Sequence, residues 1–236
     1  MKITLLTGKT YNIEQEIDFP IKIVKSPRAK KLTLRIDSKE HIPVLSLPRY
    51  CSQKKAIDFV LLHKEWIQDS LNKLPQSKPF ENGERISLFG KTVIITHAPE
   101  RKLGAKIEAD KLLVSGNLEF LHRRVKDFIK KKAETEFYKR SNKYAKKLGK
   151  SINGITIKDT KSRWGSCSSL QNINYSWRIA LAPEFVINYL MAHEVAHLQY
   201  PNHSSAFWQC VERLYPEYSQ GEQWLKEHGK DLYLYK

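Results

Sequence analysis

The segment His193-Glu194-Val195-Ala196-His197 constrains this chain more than any other stretch. It closes a run from Pro183 that is apolar almost all round, through Phe185, Val186, Ile187, Tyr189, Leu190, Met191 and Val195. A helix of that composition has to be buried, and Pro183 suits its first turn. Residues four apart share a helix face, so His193 and His197 point the same way. Two imidazoles so placed can hold one zinc ion at about 2.0–2.1 Å each. Glu194 lies about 100° further round the helix. From there it reaches a metal-bound water without being a ligand, and such a carboxylate can accept the water's proton. Histidines and a glutamate in a buried helix need partners. A metal supplies one; the alternative is a pair of hydrogen-bonded core histidines.

The expected third ligand is His203. Pro201 ends the helix, and Ser204 or Ser205 starts an amphipathic one through Phe207, Trp208, Val211 and Leu214, stopped by Pro216. His203 sits in the turn between them and can swing back to the metal. Three protein ligands with one position left open is a catalytic arrangement, not a structural one. His41, His63, His97, His122 and His228 are scattered and are expected to be non-ligands. The spacing of His193, Glu194, His197 and His203 equals that of the metzincins. Tyr200 stands where they need glycine, and the only methionines are Met1 and Met191, so their methionine turn is absent. Membership of that group is rejected.

Upstream lies Ser162-Arg163-Trp164-Gly165-Ser166-Cys167, in which Gly165-Ser166 suggests a tight turn. Asn172-Ile173-Asn174-Tyr175-Ser176-Trp177-Arg178 then alternates into Ile179-Ala180-Leu181 and predicts a strand running into the metal helix. An edge strand over 173–181 could pair with an extended substrate. Arg163 and Arg178 are the candidate substrate-binding groups for an anion or oxyanion; the alternative for both is ordinary packing and surface positions. Cys167 is expected to be a small packing residue.

The first half alternates short strand-like runs with turns: Ile3–Thr7, Ile21–Val24, Leu32–Ile36 and Val44–Leu47. A helix from Ser52 follows until Leu74-Pro75 stops it, then a loop over 75–83 and hairpin-like regions over 85–97 and 106–114. Ser115-Gly116-Asn117 is a turn. Residues 118–148 contain no glycine or proline and form one long helix, capped at Gly149. The expectation is an α+β chain: a β-rich N-terminal domain of unknown role over 1–117 and a helix-rich, zincin-like metallohydrolase domain over 118–236, with an edge strand beside the metal-binding helix.

With 41% hydrophobic and 28% charged residues, the chain is not collagen-like, largely disordered or membrane-spanning. No signal-peptide core is seen at the start, and three cysteines with no paired spacing form neither a disulfide framework nor a cysteine zinc site. A reducing, cytoplasmic setting is expected, with no membrane partner. The net charge of +16 favours anionic partners. Residues 120–163 hold 15 Lys+Arg against 4 Asp+Glu, and 164–236 hold 5 against 7. The basic stretch reads either as the wet face of an amphipathic helix or as a platform for phosphate or nucleic acid.

These segments resemble a known family. His193-Glu194-x-x-His197 with Pro201-Asn202-His203-Ser204 and Phe207-Trp208, preceded by Arg163-Trp164-Gly165-Ser166-Cys167, is similar to the YgjP-like metallopeptidase-domain family, a relative of the SprT-like and minimal gluzincin metallohydrolases. Ser26-Pro27-Arg28-Ala29-Lys30-Lys31-Leu32, Trp66-Ile67 and Trp224-Leu225-Lys226-Glu227-His228-Gly229 extend the likeness over most of the chain. The resemblance implies one zinc per chain, or another divalent metal, on His193, His197 and His203, with Glu194 as base. It implies a cytoplasmic metallopeptidase. Two alternatives stand beside it: a nucleoside triphosphate pyrophosphatase of UTP type, and a SprT-like protein associated with nucleic acid. A triphosphate site more often uses magnesium or manganese with carboxylates, which three histidines suit less well.

Overall fold

The computed structural model describes residues 3–4, 10–11, 19–37, 40, 42–73, 78–102, 104–160 and 163–235. Leu5–Thr7 of the first expected strand, Leu74–Ser77 of the expected stop and loop, His41 and Ser162 lie outside the described residues. The fold is α+β, with strands mostly in the N-terminal half and helices in the C-terminal half. Its contacts divide the chain into two units, Met1–Gln76 and Ser77–Lys236.

In the first unit β1 (Ile3–Thr4) pairs antiparallel with β2 (Thr10–Tyr11). Strands β3 (Lys22–Lys25), β4 (Thr33–Asp37) and β5 (Ile42–Leu47) form a sheet in the order β3-β5-β4. Helix α1 (Gln53–Leu62) starts where Ser52 Oγ accepts from the Lys55 amide at 3.3 Å, which satisfies a free helix-start donor. The single helix expected from Ser52 is two. The chain leaves helical geometry at His63 (φ −106°, ψ 16°), whose Nδ1 meets the Phe59 carbonyl at 2.8 Å, and α2 (Lys64–Asn72) follows. Ile21, Ile23, Leu45, Leu47, Ala56, Ile57, Val60 and Ile67 make this unit's core.

In the second unit β6 (Arg85–Leu88) and β7 (Lys91–His97) form the expected hairpin, turned by Phe89 and Gly90, both at positive φ. Such a two-residue turn matches the twist of paired strands. With β8 (Ala105–Glu108) and β9 (Lys111–Val114) they make a four-stranded sheet in the order β6-β7-β9-β8. Helix α3 (Leu121–Lys147) follows a 3₁₀ turn at Leu118–Phe120 and ends at Gly149, φ +63°. Its stripe Leu121, Val125, Ile129, Ala133 and Phe137 joins the core that Ile86, Leu88, Val93, Ile95, Leu112 and Val114 supply from that sheet. The break expected near residue 117 therefore falls inside one continuous core, at what is only a turn.

Strands β10 (Gly154–Lys158), β11 (Gly165–Cys167) and β12 (Asn172–Ser176) form a second sheet, with β12 in the middle, parallel to β10 and antiparallel to β11. The expectation of an edge strand over 173–181 is corrected twice. β12 is paired on both sides, and Trp177–Leu181 is a 3₁₀ helix. The strands at the sheet's edges are β10 and β11, and β11 packs beside the histidine-bearing helix α4 (Glu184–Ala196). Gly165-Ser166 is thus strand and not turn. Helices α5 (Ser205–Leu214) and α6 (Tyr218–His228) and a 3₁₀ turn at Gly229–Tyr233 complete the unit. Among the described residues no helix is long and apolar enough to cross a membrane.

Candidate metal centre

Helix α4 carries His193 and Glu194, and His197 caps its C-terminal end. The helix stops because the chain tightens into a last turn, with Leu198 N–H donating to the Val195 carbonyl at 3.0 Å and Gln199 N–H to the Ala196 carbonyl at 3.1 Å, before Pro201 turns it away. Asn202 and His203 lie in the reversal, and Ser204 stands at the N-cap of α5, as its spacing predicts. The turn brings His203 back over the helix. Nε2 of His203 lies 3.2 Å from Nε2 of His193. Ring centroids are 5.2 Å apart for His193 and His197 and 4.8 Å for His197 and His203. Phe207, fully buried, sits against all three rings with centroids 4.5–5.0 Å away.

Each histidine offers a ligand nitrogen, and these atoms all lie within 4.8 Å of one another. Among the described residues no other group of three His, Cys, Asp or Glu comes together so. His63, His97, His122 and His228 stand apart, as expected. Nitrogens on a tetrahedral zinc are about 3.3 Å apart, which the His193–His203 pair already approaches. The tautomer also suits a ligand. His197 Nδ1 donates to the Tyr200 carbonyl at 2.9 Å, so Nε2 keeps its lone pair. Tyr189 Oη reaches His193 Nδ1 at 3.5 Å. Burial, reinforced by His197 and His203, pushes His193 down to about 3. Burial also lowers His197, with His203 adding to it and the Tyr200 carbonyl opposing. Neutral imidazoles are the form a metal takes.

Glu194 is 4% exposed, and its Oε2 has no hydrogen-bond partner among the described residues. Burial pushes its carboxyl up to about 8, against the opposing charge of Arg163. Its neighbour is the β11 backbone at Gly165. A Cβ built there would stand 2.7 Å from both Cγ and Cδ of Glu194, so only glycine lets strand and carboxylate approach this closely. The orphaned carboxylate oxygen and the three converging imidazole nitrogens together fit a divalent cation.

The histidines and Glu194 open onto a cleft of about 760 Å³. One wall is β11 and the residues around it, from Arg163 to Ser169; the other is Tyr189, Leu190 and, from α6, Glu222, Leu225 and Lys226. Cys167 belongs to that wall, and burial, then Glu194, pushes its thiol up to about 11, which keeps it protonated and inert. Arg163 is exposed on the cleft, as a substrate-binding residue would be. Arg178 is not part of it, and its assignment as a substrate residue is corrected. Its side chain is fully buried, ion-paired to Asp159, 3.2 Å from the Tyr235 carbonyl and stacked on Trp177 and Tyr233. The 3₁₀ helix carries Arg178 into the core.

Sequence reasoning missed Tyr189, Phe207 and α6. Tyr189 stands four residues before His193, on the same face, so its signal was in the spacing. The contribution of α6 has no local signal. It depends on Gly221, whose missing Cβ would fall 2.5 Å from that of Tyr189 and whose absence lets α6 close against α4.

The fold and the site define an α+β protein with a helix-borne three-histidine centre and an adjacent carboxylate. The chain belongs to the YgjP-like metallopeptidase-domain family, whose model matches residues 30–228, and so stands, at the level of family, among metal-dependent peptidases. Comparison with curated proteins finds no match. Among solved structures, 39% of the chain is similar to the crystal structure of the metallopeptidase zymogen of Pyrococcus abyssi abylysin, covering 93% of that chain at 21% identity and a TM-score of 0.36. A likeness that distant carries no weight for function.

Proposed function

We propose that the chain is a zinc-dependent peptidase in which His193, His197 and His203 hold the ion and Glu194 is the catalytic carboxylate. The observation that carries this is a buried carboxylate without a hydrogen-bond partner beside three converging imidazoles, all facing one cleft. Zinc held there would supply a Lewis acid that polarises a peptide carbonyl and makes water more acidic. Glu194 takes a proton from the attacking water on a carboxylate oxygen, keeps it in a desolvated setting, and passes it to the departing nitrogen. Gly165 leaves the carboxylate room to stay where it is. β11, at an edge of its sheet, has no strand on its outer side among the described residues and can pair there with an extended peptide. Arg163 faces the same substrate.

The nucleoside triphosphate alternative is less well served. Of the described residues in the strongly basic stretch 120–163, Arg163 alone lines the cleft. The test is Glu194→Gln in the zinc-loaded full chain. Peptide hydrolysis is expected to fall about 10²–10⁴-fold, with the metal retained. Undiminished hydrolysis, or hydrolysis of UTP and of no peptide, would overturn the reading.

A further inference from the structure

Among the described residues four charged side chains other than histidine line the cleft: Arg163, Glu194, Glu222 and Lys226. Two of them cancel. Lys226 Nζ and Glu222 Oε1, one turn apart on α6, lie 2.7 Å from each other. Glu194 is buried beneath the histidines. That leaves Arg163, exposed, with no ion pair among the described residues. Its place is fixed from both sides. Thr160 Oγ1 donates to the Arg163 carbonyl at 2.5 Å. The next residue, Trp164, accepts from the Ser176 amide at 2.8 Å through its carbonyl and lays its ring on Tyr233, 5.2 Å between centroids, in space that Gly229 leaves free. So the chain anchors this position firmly, and its guanidinium, whose charge Glu194 feels without a hydrogen bond between them, has no carboxylate bound to it among the described residues.

An arginine offers a planar fork of donors that matches a carboxylate in two parallel hydrogen bonds. One unpaired cation suits one negative charge; a triphosphate would need several. We propose that Arg163 sets the specificity of the cleft: its guanidinium receives a carboxylate of the peptide, so substrates with an acidic side chain or a free C-terminus close to the cut bond are preferred. This rests on the peptidase reading. It makes Arg163 a specificity residue that touches substrate away from the reacting atoms.

The test uses the zinc-loaded full chain and internally quenched peptides of one length. One is neutral and amidated, one carries glutamates beside the scissile bond and is amidated, and one is neutral with a free C-terminus. The wild type should prefer one carboxylate peptide over the neutral one, and which of the two gains identifies the source of the carboxylate. In Arg163→Gln that preference, read as a ratio of kcat/KM values, should fall by about tenfold to a hundredfold, and Arg163→Lys should restore part of it. Metal content equal to the wild type shows the variant's site intact. Binding of the same peptides to Glu194→Gln, with and without Arg163→Gln, reads the contact without turnover. No preference in the wild type, or an equal loss on every peptide in Arg163→Gln, overturns the proposal and leaves the peptidase standing. If the wild type cleaves none of the peptides, the peptidase reading fails. The binding arm then decides alone: tighter carboxylate binding that needs Arg163 supports the contact, and binding indifferent to Arg163 removes it.

Discussion

At the residue scale, the site depends on two backbone groups as much as on its side chains. The Tyr200 carbonyl fixes the His197 ring by accepting from Nδ1 at 2.9 Å. The backbone at Gly165 leaves Glu194 its position. Gly165→Ala should therefore push the carboxylate away without touching a histidine. Peptide hydrolysis is expected to drop about a hundredfold, the usual cost of misplacing a reacting group by about 1 Å. Zinc content measured beside it should stay at the wild-type value; full activity in the variant would show that the close approach is not needed. His193, His197 and Glu194 were legible because helix periodicity turns spacing into direction, and His203 because Pro201 and the serines after it mark a turn back over the helix. The Tyr200 carbonyl was not, since a backbone acceptor has no sequence signature. Arg163 and Arg178 look alike in the chain. Only the local backbone, a segment leading into a strand at one and a 3₁₀ turn at the other, separates a cleft residue from a core one.

At the scale of elements, the sheet β10-β12-β11 decides where a substrate can lie. The alternation Ile155-Thr156-Ile157 is the sequence signal for β10. Which strands then pair is set by partners far apart in sequence, so period alone could not name β11 as an edge. The same region holds a buried charge. Arg178 ties the 3₁₀ helix after β12 to Asp159, just beyond β10, and Lys126 of α3 approaches Asp159 at 3.8 Å. Asp159→Ala would leave a buried guanidinium without its carboxylate, and unfolding should show a loss of about 3–5 kcal/mol. Arg178→Met should cost less, because an apolar chain fits between Trp177 and Tyr233 while Asp159, partly exposed, keeps Lys126. Denaturant unfolding of the two variants checks the order. A larger loss in Arg178→Met, or a change in its KM for peptide, would return Arg178 to the substrate.

At the scale of the whole molecule, the chain is two contact units, and every residue of the candidate site belongs to Ser77–Lys236. The expected break near 117 failed for a physical reason. The apolar faces of β6–β9 show in sequence as alternation, but nothing local says that α3 is what covers them. The α+β class and the family were legible, the first from the change of period along the chain and the second from the Arg163-Trp164-Gly165-Ser166-Cys167 and Pro201-Asn202-His203 segments beside the histidine motif. The central claim is that the three histidines hold one metal ion. It is tested most directly by the metal content of the full chain, purified without added metal, for the wild type and His197→Ala. The account expects about one zinc per chain in the wild type and a large loss in the variant. No metal in the wild type and none taken up from added zinc, or equal metal in both proteins, would contradict it.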